Sequence, residues 1–169
     1  MKINRKYRAK AISYAPYERK LSNVKAIVIH STGNKGDTAE NNAKYFATSN
    51  MREAGAHYFI DKQGKIYSSI HIKKIAYAVG GAKYNTLGGG KYYGYYTNAN
   101  TVSIELCDST KEEPYNDKQV KALKYLVKFI KKRCINCKHI IRHYDINGKP
   151  CPMYLQNNTE FNKLKRLIE

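Results

Sequence analysis

An α/β fold, with a central mixed β-sheet of about five to six strands flanked by helices, is what this sequence predicts. Three observations carry that expectation. Short β-branched and aliphatic runs alternate with stretches that keep a helical period. A polar, glycine-bearing turn joins two of the apolar runs, as in a hairpin. Hydrophobic residues make up 42% of the 169 residues, and a chain of this size hides roughly two-thirds of its unfolded surface on folding, so it needs no external staple.

The elements follow in order. The start, MKINRKYRAKAISYAPYERK, is charged throughout and lacks the apolar run of about 7 to 15 residues of a secretory leader. The run VKAIVIH from Val24 is nearly continuous in β-branched and aliphatic residues, as in a strand buried on both faces, and ends at His30. Gly33 and Gly36 then break the chain, and Asp37 with Glu40 forms a capping-box-like pair opening a helix whose Ala39, Ala43, Phe46 and Ala47 share a face. HYFIDKQGKIYSSI predicts two strands joined at a Lys62 to Gly64 turn.

Residues 80–100 hold six of the eleven glycines and five tyrosines without a countable period, which predicts a long surface loop of the kind that carries function. TVSIELC is a further strand. Asp117 is the expected cap of KQVKALKYLVKFIKKR, whose Val120, Leu123, Val127 and Ile130 form an apolar stripe with lysines over the rest. HIIRH is a short last strand, DINGKPCP is turn-rich, and Thr159 with Asn162 opens a final helix to Leu167. No internal repeat, linker or second domain is evident, so one domain over residues 1–169 is expected.

Lysine and arginine number 31 against 13 aspartates and glutamates, a formal charge of +18. Such a field concentrates anionic partners, whether nucleic acid, anionic lipid or an anionic wall polymer; solvated lysines serving solubility are the plain alternative. No recognised nucleic-acid-binding motif accompanies the charge, and no stretch is long enough to span a membrane. Four cysteines are even in number, but Cys134 and Cys137 sit close together and Cys151 lies between prolines, a poor disulfide framework.

The chemistry-bearing residues are few. Catalytic zinc takes three protein ligands from His, Cys and carboxylates and leaves a position for water. His30 and His143 each end a strand, and Cys151 follows eight residues after His143. In GKPCP, Lys149 and Cys151 each precede a proline, which favours extended backbone and places both side chains on one face. Glu105, by alternation, points with Ser103 to the face opposite Val102, Ile104 and Leu106. Beside a metal it is a candidate general base; otherwise it is a solvent-facing carboxylate.

HSTGNKGDTAENNAKYF, AHYFIDKQGKIY, NANTVSIELC and RHYDINGKPCP, in this order across residues 24–152, resemble the type 2 zinc N-acetylmuramoyl-L-alanine amidases, most of all their phage endolysin and prophage members. The resemblance implies the fold shared with peptidoglycan recognition proteins. It also implies Zn2+ on His30, His143 and Cys151, with Glu105 moving the proton of the attacking water and Lys149 steadying the oxyanion. The substrate it implies is bacterial peptidoglycan, cut at the amide between N-acetylmuramic acid and L-alanine. His57, next to Tyr58 in a strand, has a structural or substrate-side role rather than a metal-binding one; with Tyr58, Tyr77 and Asn100 it is a candidate for the substrate side, and the tyrosines at 84, 92, 93, 95 and 96 either stack on substrate or fold back onto the domain.

The sequence departs from the family pattern in three places. Ala56 stands where some relatives carry a catalytic tyrosine, and Tyr77-Ala78 stands where many have a Trp-His pair. No separate wall-binding domain is evident, and attraction of the basic surface to anionic wall polymers is the expected substitute. Synthesis in the cytoplasm without a leader, followed by release onto the wall, fits lysis by a phage or prophage. The competing reading is a peptidoglycan recognition module that binds without cutting; the presence of Cys151, Lys149 and Glu105 argues for catalysis. Cys134 and Cys137 read as ordinary cysteines at a helix end, and His71 and His139 as surface residues.

Overall fold

A computed structural model describes residues 1–169. Eight strands and four helices run in the order β1 (Ile3–Asn4), β2 (Tyr14–Glu18), β3 (Ala26–Ser31), α1 (Ala39–Thr48), β4 (Tyr58–Ile60), β5 (Ile66–Ser68), β6 (Lys74–Ala76), β7 (Thr101–Leu106), α2 (Asp117–Arg133), β8 (His139–Arg142), α3 (His143–Asn147) and α4 (Asn158–Ile168). Six strands form one mixed sheet in the order β1-β5-β4-β7-β3-β8, and β2 pairs with β6 in a separate antiparallel ribbon. Within the sheet only β4 and β5 run antiparallel, as the hairpin chemistry around Gly64 predicts. The four strands β4, β7, β3 and β8 are mutually parallel, so their carboxyl ends share one edge.

Alternation assigns each strand two faces. Ile27, Ile29, Val102, Ile104, Leu106 and Ile140 point to the main core, where Leu123, Leu126, Val127 and Ile130 of α2 and Phe161, Leu164 and Ile168 of α4 cover them. Val120 of the expected stripe is only partly buried against that core. Ala26, Val28 and Ile141 point the other way, beneath Tyr96 and Val79 of the long loop. Ala39 and Ala43 of α1 pack there against Phe59 and Cys107, with Phe46 partly buried beside them. No helix is long and apolar enough to cross a membrane.

Three helix caps differ from the sequence expectation by one or two residues. Thr38, not Asp37, caps α1: its hydroxyl accepts the Asn41 amide at 3.1 Å. Asp37 is instead drawn away to accept the Asp108 amide at 2.5 Å and the Asn42 side chain at 2.6 Å. Asn116, not Asp117, caps α2 in a reciprocal box with Gln119, and Asn157, not Thr159, caps α4. In each case a second residue with capping chemistry stands one or two positions before the expected one, or one position after it, and the residue in extended backbone takes the role. The turn-rich segment after β8 opens with the short helix α3, closed by Gly148 in left-handed conformation at φ 84°. The basic N-terminal segment supplies the edge strand β1 and the ribbon strand β2, which the charge pattern conceals.

Asn116 also donates to the Lys62 carbonyl at 3.1 Å, tying α2 to the hairpin turn. Asn116→Ala is therefore expected to lower the unfolding free energy by about 1–2 kcal/mol. Asp117→Ala, which removes only a charge near the helix N-terminus, should cost about half a kcal/mol or less. Urea unfolding followed by circular dichroism measures both, and equal losses would contradict this assignment of the cap.

Candidate metal centre and groove

Strand register gathers the site. His30 and Glu105 are paired residues on adjacent parallel strands, and Arg142 of β8 pairs with Ile29, so His143 emerges beside His30 at the same edge. The imidazoles of His30 and His143 lie 4.8 Å apart between ring centroids at 60°. Cys151 reaches in from the loop after α3, with Sγ 3.6 Å from His30 Nδ1. One ligand atom from each of these three residues lies within 4.8 Å of the others. Glu105 stands alongside with Oε1 4.0 Å from His30 Nδ1, its side chain 20% exposed.

This donor set fits a metal ion. His30 Nε2, both ring nitrogens of His143 and Glu105 Oε2 are buried with no hydrogen-bond partner in the protein. Leaving buried polar atoms unpaired costs roughly 1–3 kcal/mol each; an ion would take one nitrogen of His143 and offset that atom's cost, and on His30 it would take Nδ1, the nitrogen facing Cys151 and Glu105. Tetrahedral zinc, with bonds near 2.0–2.3 Å, separates neighbouring nitrogen and sulfur ligands by roughly 3.3–3.7 Å, close to the spacing of His30 and Cys151.

Burial governs the protonation of these groups. It holds His30 well below the usual imidazole range, with further repulsion from His143 and Lys149. Burial, and then Lys149, pushes His143 down to about 4, so both rings are neutral and free to ligate at neutral pH. Burial and the nearby Glu105 push the Cys151 thiol up to about 12, so a metal must displace its proton on binding. Burial raises Glu105 to about 7 against the opposing pull of Lys149. A carboxyl poised there can take up and return a proton at neutral pH.

Sequence reasoning missed what holds the two later ligands in place. Arg142 and Asp145 form a buried bidentate ion pair, with Nη2 to Oδ1 at 2.7 Å and Nε to Oδ2 at 3.0 Å. The same guanidinium donates to the carbonyls of Leu155 and Gln156 at 3.0 and 2.5 Å and to Asn158 Oδ1 at 2.7 Å. The Tyr144 amide donates to the Cys151 carbonyl at 2.7 Å. One cation thus ties the residue before His143 to the segment just after Cys151. The available signal was a charged residue inside the apolar strand HIIR.

A groove of about 600 Å3 opens over the centre, lined by His30, Glu105, His143, Lys149 and Cys151 and walled by Asn41, Tyr45, Arg52 and Tyr77. A second hollow of about 620 Å3 adjoins it, sharing Tyr77, His143 and Lys149 and continuing past Glu53, Lys83, Tyr84 and Asn147. The long loop shapes that hollow because it is docked on α3: the amides of Tyr84, Gly90 and Tyr92 donate to the carbonyls of Asn147, Tyr144 and Asp145. Of its tyrosines, Tyr96 is buried under the sheet and Tyr92 packs on it, while Tyr84, Tyr93 and Tyr95 remain exposed.

Of the substrate-side candidates only Tyr77 lines the groove; Tyr58 and Asn100 correct the expectation, and His57 takes the structural one of its two expected roles, not the substrate-side one. His57 is buried: its Nδ1 accepts the Ser103 amide at 3.1 Å, and its Nε2 lies 3.1 Å from both the Lys74 carbonyl and the Arg19 guanidinium. Burial, and then Arg19, pushes it down to about 3, so it is a neutral structural ring. Tyr58 points into the main core on the opposite face of the sheet. Asn100 closes a turn before β7, accepting from the Thr97 amide and donating to the Tyr95 carbonyl, at the strand end remote from Glu105. Cys134 and Cys137 are buried free thiols beside α2.

The fold and this centre define a class of α/β proteins whose site sits at the carboxyl ends of parallel strands. The chain belongs to the N-acetylmuramoyl-L-alanine amidase family (Amidase_2), whose model matches residues 20–154. It is 30% identical to the N-acetylmuramoyl-L-alanine amidase BlyA of Bacillus subtilis (strain 168) over 170 residues, covering 93% of this chain and 46% of that protein. It is 25% identical to the amidase CwlL of Bacillus licheniformis, covering 89% of this chain and 42% of that one. The chain thus spans about half the length of the curated relatives it matches. Among solved structures, PlyL superposes with a TM-score of 0.76 at 22% identity, covering 100% of this chain and 98% of that one. The catalytic domain of XlyA gives 0.73 at 19%, covering 100% of both. Both share the fold.

Removing Arg142 strands the Asp145 carboxylate in the interior. Arg142→Ala is expected to cost about 3–5 kcal/mol in chemical unfolding, and to weaken retention of a divalent metal in equilibrium dialysis more than Arg142→Lys does. Undiminished retention in a folded Arg142→Ala protein would show that the ligand segments are held by other means.

Proposed function

We propose that this chain is a zinc hydrolase that cleaves the amide between the lactyl group of N-acetylmuramic acid and the L-alanine of the stem peptide in bacterial peptidoglycan. The observation that carries the reading is the convergence of His30, His143 and Cys151, with unpartnered ring nitrogens, beside a carboxyl raised to about 7 at the base of an open groove. Membership of the amidase family supports the same reaction.

His30, His143 and Cys151 would hold the ion. Zinc, when bound, supplies Lewis acidity that polarises the scissile carbonyl and eases ionisation of water. Glu105 takes the proton from the attacking water as the new carbon–oxygen bond forms. It then returns that proton to the alanine nitrogen as the carbon–nitrogen bond breaks, leaving a lactyl carboxylate and a free amine. Lys149 lies on the rim of both hollows and places its ammonium where negative charge develops on the carbonyl oxygen. Ala56 carries no side chain that could share the proton transfer, so Glu105 bears it alone. Tyr77, which lines both hollows, would contact the substrate.

Action on the wall after release from a lysing cell fits this chemistry. The charge of +18 draws the protein to anionic wall polymers, an attraction that salt weakens.

Release of soluble peptide from purified Gram-positive walls tests the proposal. A chelator is expected to stop it and zinc to restore it. Glu105→Gln should retain stoichiometric zinc yet lose roughly 10²–10⁴ in rate, whereas Cys151→Ala should lose zinc as well. Wall binding without release under every zinc condition would replace the amidase reading with that of a recognition module.

A further inference from the structure

On the face of the sheet turned away from the groove, a pocket of about 260 Å3 lies between β4, β5 and the last turns of α2. Tyr58, Ser68, Arg5, His71, Lys73 and Arg133 line it together with the apolar Leu21, Ile72 and Phe129, and no acidic residue does. Tyr58 is 3% exposed, yet its hydroxyl makes no hydrogen bond within the protein and opens into this space. We propose that this pocket is a second binding site, separate from the metal centre, for a phosphoryl oxyanion, either a phosphate monoester or a phosphodiester.

The cations are not neutralised from within. No carboxylate lies within 4.0 Å of Arg5, His71, Lys73 or Arg133; Glu18, the acidic group whose charge reaches His71, is paired with Lys74 at 3.7 Å. Arg8 adds a fourth positive charge to those of Arg5, Lys73 and Arg133, donating to both the carbonyl and the hydroxyl of Ser68 at 3.0 Å.

The donors are also pre-arranged. The Arg133 guanidinium rests 3.6 Å above the Phe129 ring and donates to the Phe129 carbonyl at 3.2 Å, leaving its remaining N–H groups free. Arg5 is anchored at one nitrogen by the Ile3 carbonyl at 3.4 Å. His71 Nδ1 accepts the Lys73 amide at 3.3 Å, so the neutral ring presents Nε2–H as a donor. Burial pushes the Tyr58 phenol up against the pull of Arg5, Arg133 and Arg8, which keeps it a hydroxyl donor at neutral pH.

Arginine forks match phosphate oxygens two at a time, and a tetrahedral oxyanion meets donors arriving from several directions, which a flat carboxylate does not. With roughly 30 Å3 for each displaced water, the pocket accommodates a phosphoryl group together with a small polyol. Because it lies across the sheet from the groove, both can be filled at once. A phosphodiester-linked polyol chain of a cell wall would then hold the protein without obstructing the metal centre. A soluble phosphate monoester is the other source of the same chemistry.

The test is an amide-resonance NMR titration of the full chain, at ionic strength fixed with chloride, with inorganic phosphate and separately with a glycerol phosphodiester. Saturable shifts confined to the neighbourhood of Ser68, His71 and Arg133 are expected. Arg5→Gln with Arg133→Gln should weaken binding by about tenfold or more, and Tyr58→Phe, which keeps the ring, by a few-fold. Saturation by the diester assigns the site to a polymer, and saturation by inorganic phosphate alone assigns it to a free ion. Linear shifts, shifts spread equally over Lys121, Lys124 and Lys128 of α2, or binding unchanged in these variants would overturn the proposal.

Discussion

Parallel, in-register pairing of β7, β3 and β8 is the constraint on which everything else depends. Parallel neighbours end on the same edge, so three polar side chains at strand ends are brought together without any dedicated scaffold. Moving either pairing by one residue would turn His30 or Glu105 from the groove to the α2 face, because side-chain direction alternates along a strand. The register is in turn held by apolar burial. Ile27, Ile29, Val102, Ile104, Leu106 and Ile140 must all meet α2 and α4, and only one alignment lets them do so while His30, Ser103 and Glu105 face the other way.

The third ligand cannot come from this ladder, since β8 already occupies the sheet edge beside β3. It is delivered by a return of the chain through α3, and that return depends on polar rather than apolar forces. Arg142 belongs to the strand, Asp145 to α3, and the carbonyls of Leu155 and Gln156 to the segment beyond Cys151. A buried ion pair contributes little net stability over well-packed apolar residues but sets geometry sharply. Here the geometry is the relative placement of His143 and Cys151. Docking of the glycine- and tyrosine-rich loop onto α3 extends the same arrangement outward, so the wall of the groove is fixed to the element that carries a ligand.

This division explains what the sequence made legible. Apolar periodicity identified β3, β7, α1, α2 and the β4–β5 hairpin, because their side chains face cores of known sign. Residues in GKPCP and at strand ends identified the metal-site candidates, since each stands where its neighbours force an exposed or turning backbone. Helix caps were displaced by a residue or two because Asp37, Asp117 and Thr159 each lie within two residues of another with capping chemistry, and only backbone conformation separates them. Tyr58, and His57 in the substrate-side role, were misplaced for a different reason. They adjoin in a strand next to the site strand, but both turn inward, one to Arg19 and the other to the core. Arg19 escaped notice because its partners are backbone carbonyls from distant parts of the chain, which leave no local pattern; Arg142 left a local one, a charge inside an apolar strand three residues before Asp145, but its contacts to Leu155 and Gln156 did not show.

A protein with eighteen excess positive charges must still keep two histidines unprotonated and one glutamate able to ionise within a few ångströms of each other. Burial alone does the first but works against the second, since it raises Glu105 as surely as it lowers His30 and His143. Lys149 resolves the conflict. Its charge lowers both imidazoles and opposes the rise of Glu105, so one exposed ammonium favours the required state of all three groups. Lys149 lines both hollows at the rim of the groove, where one charge acts on all three groups.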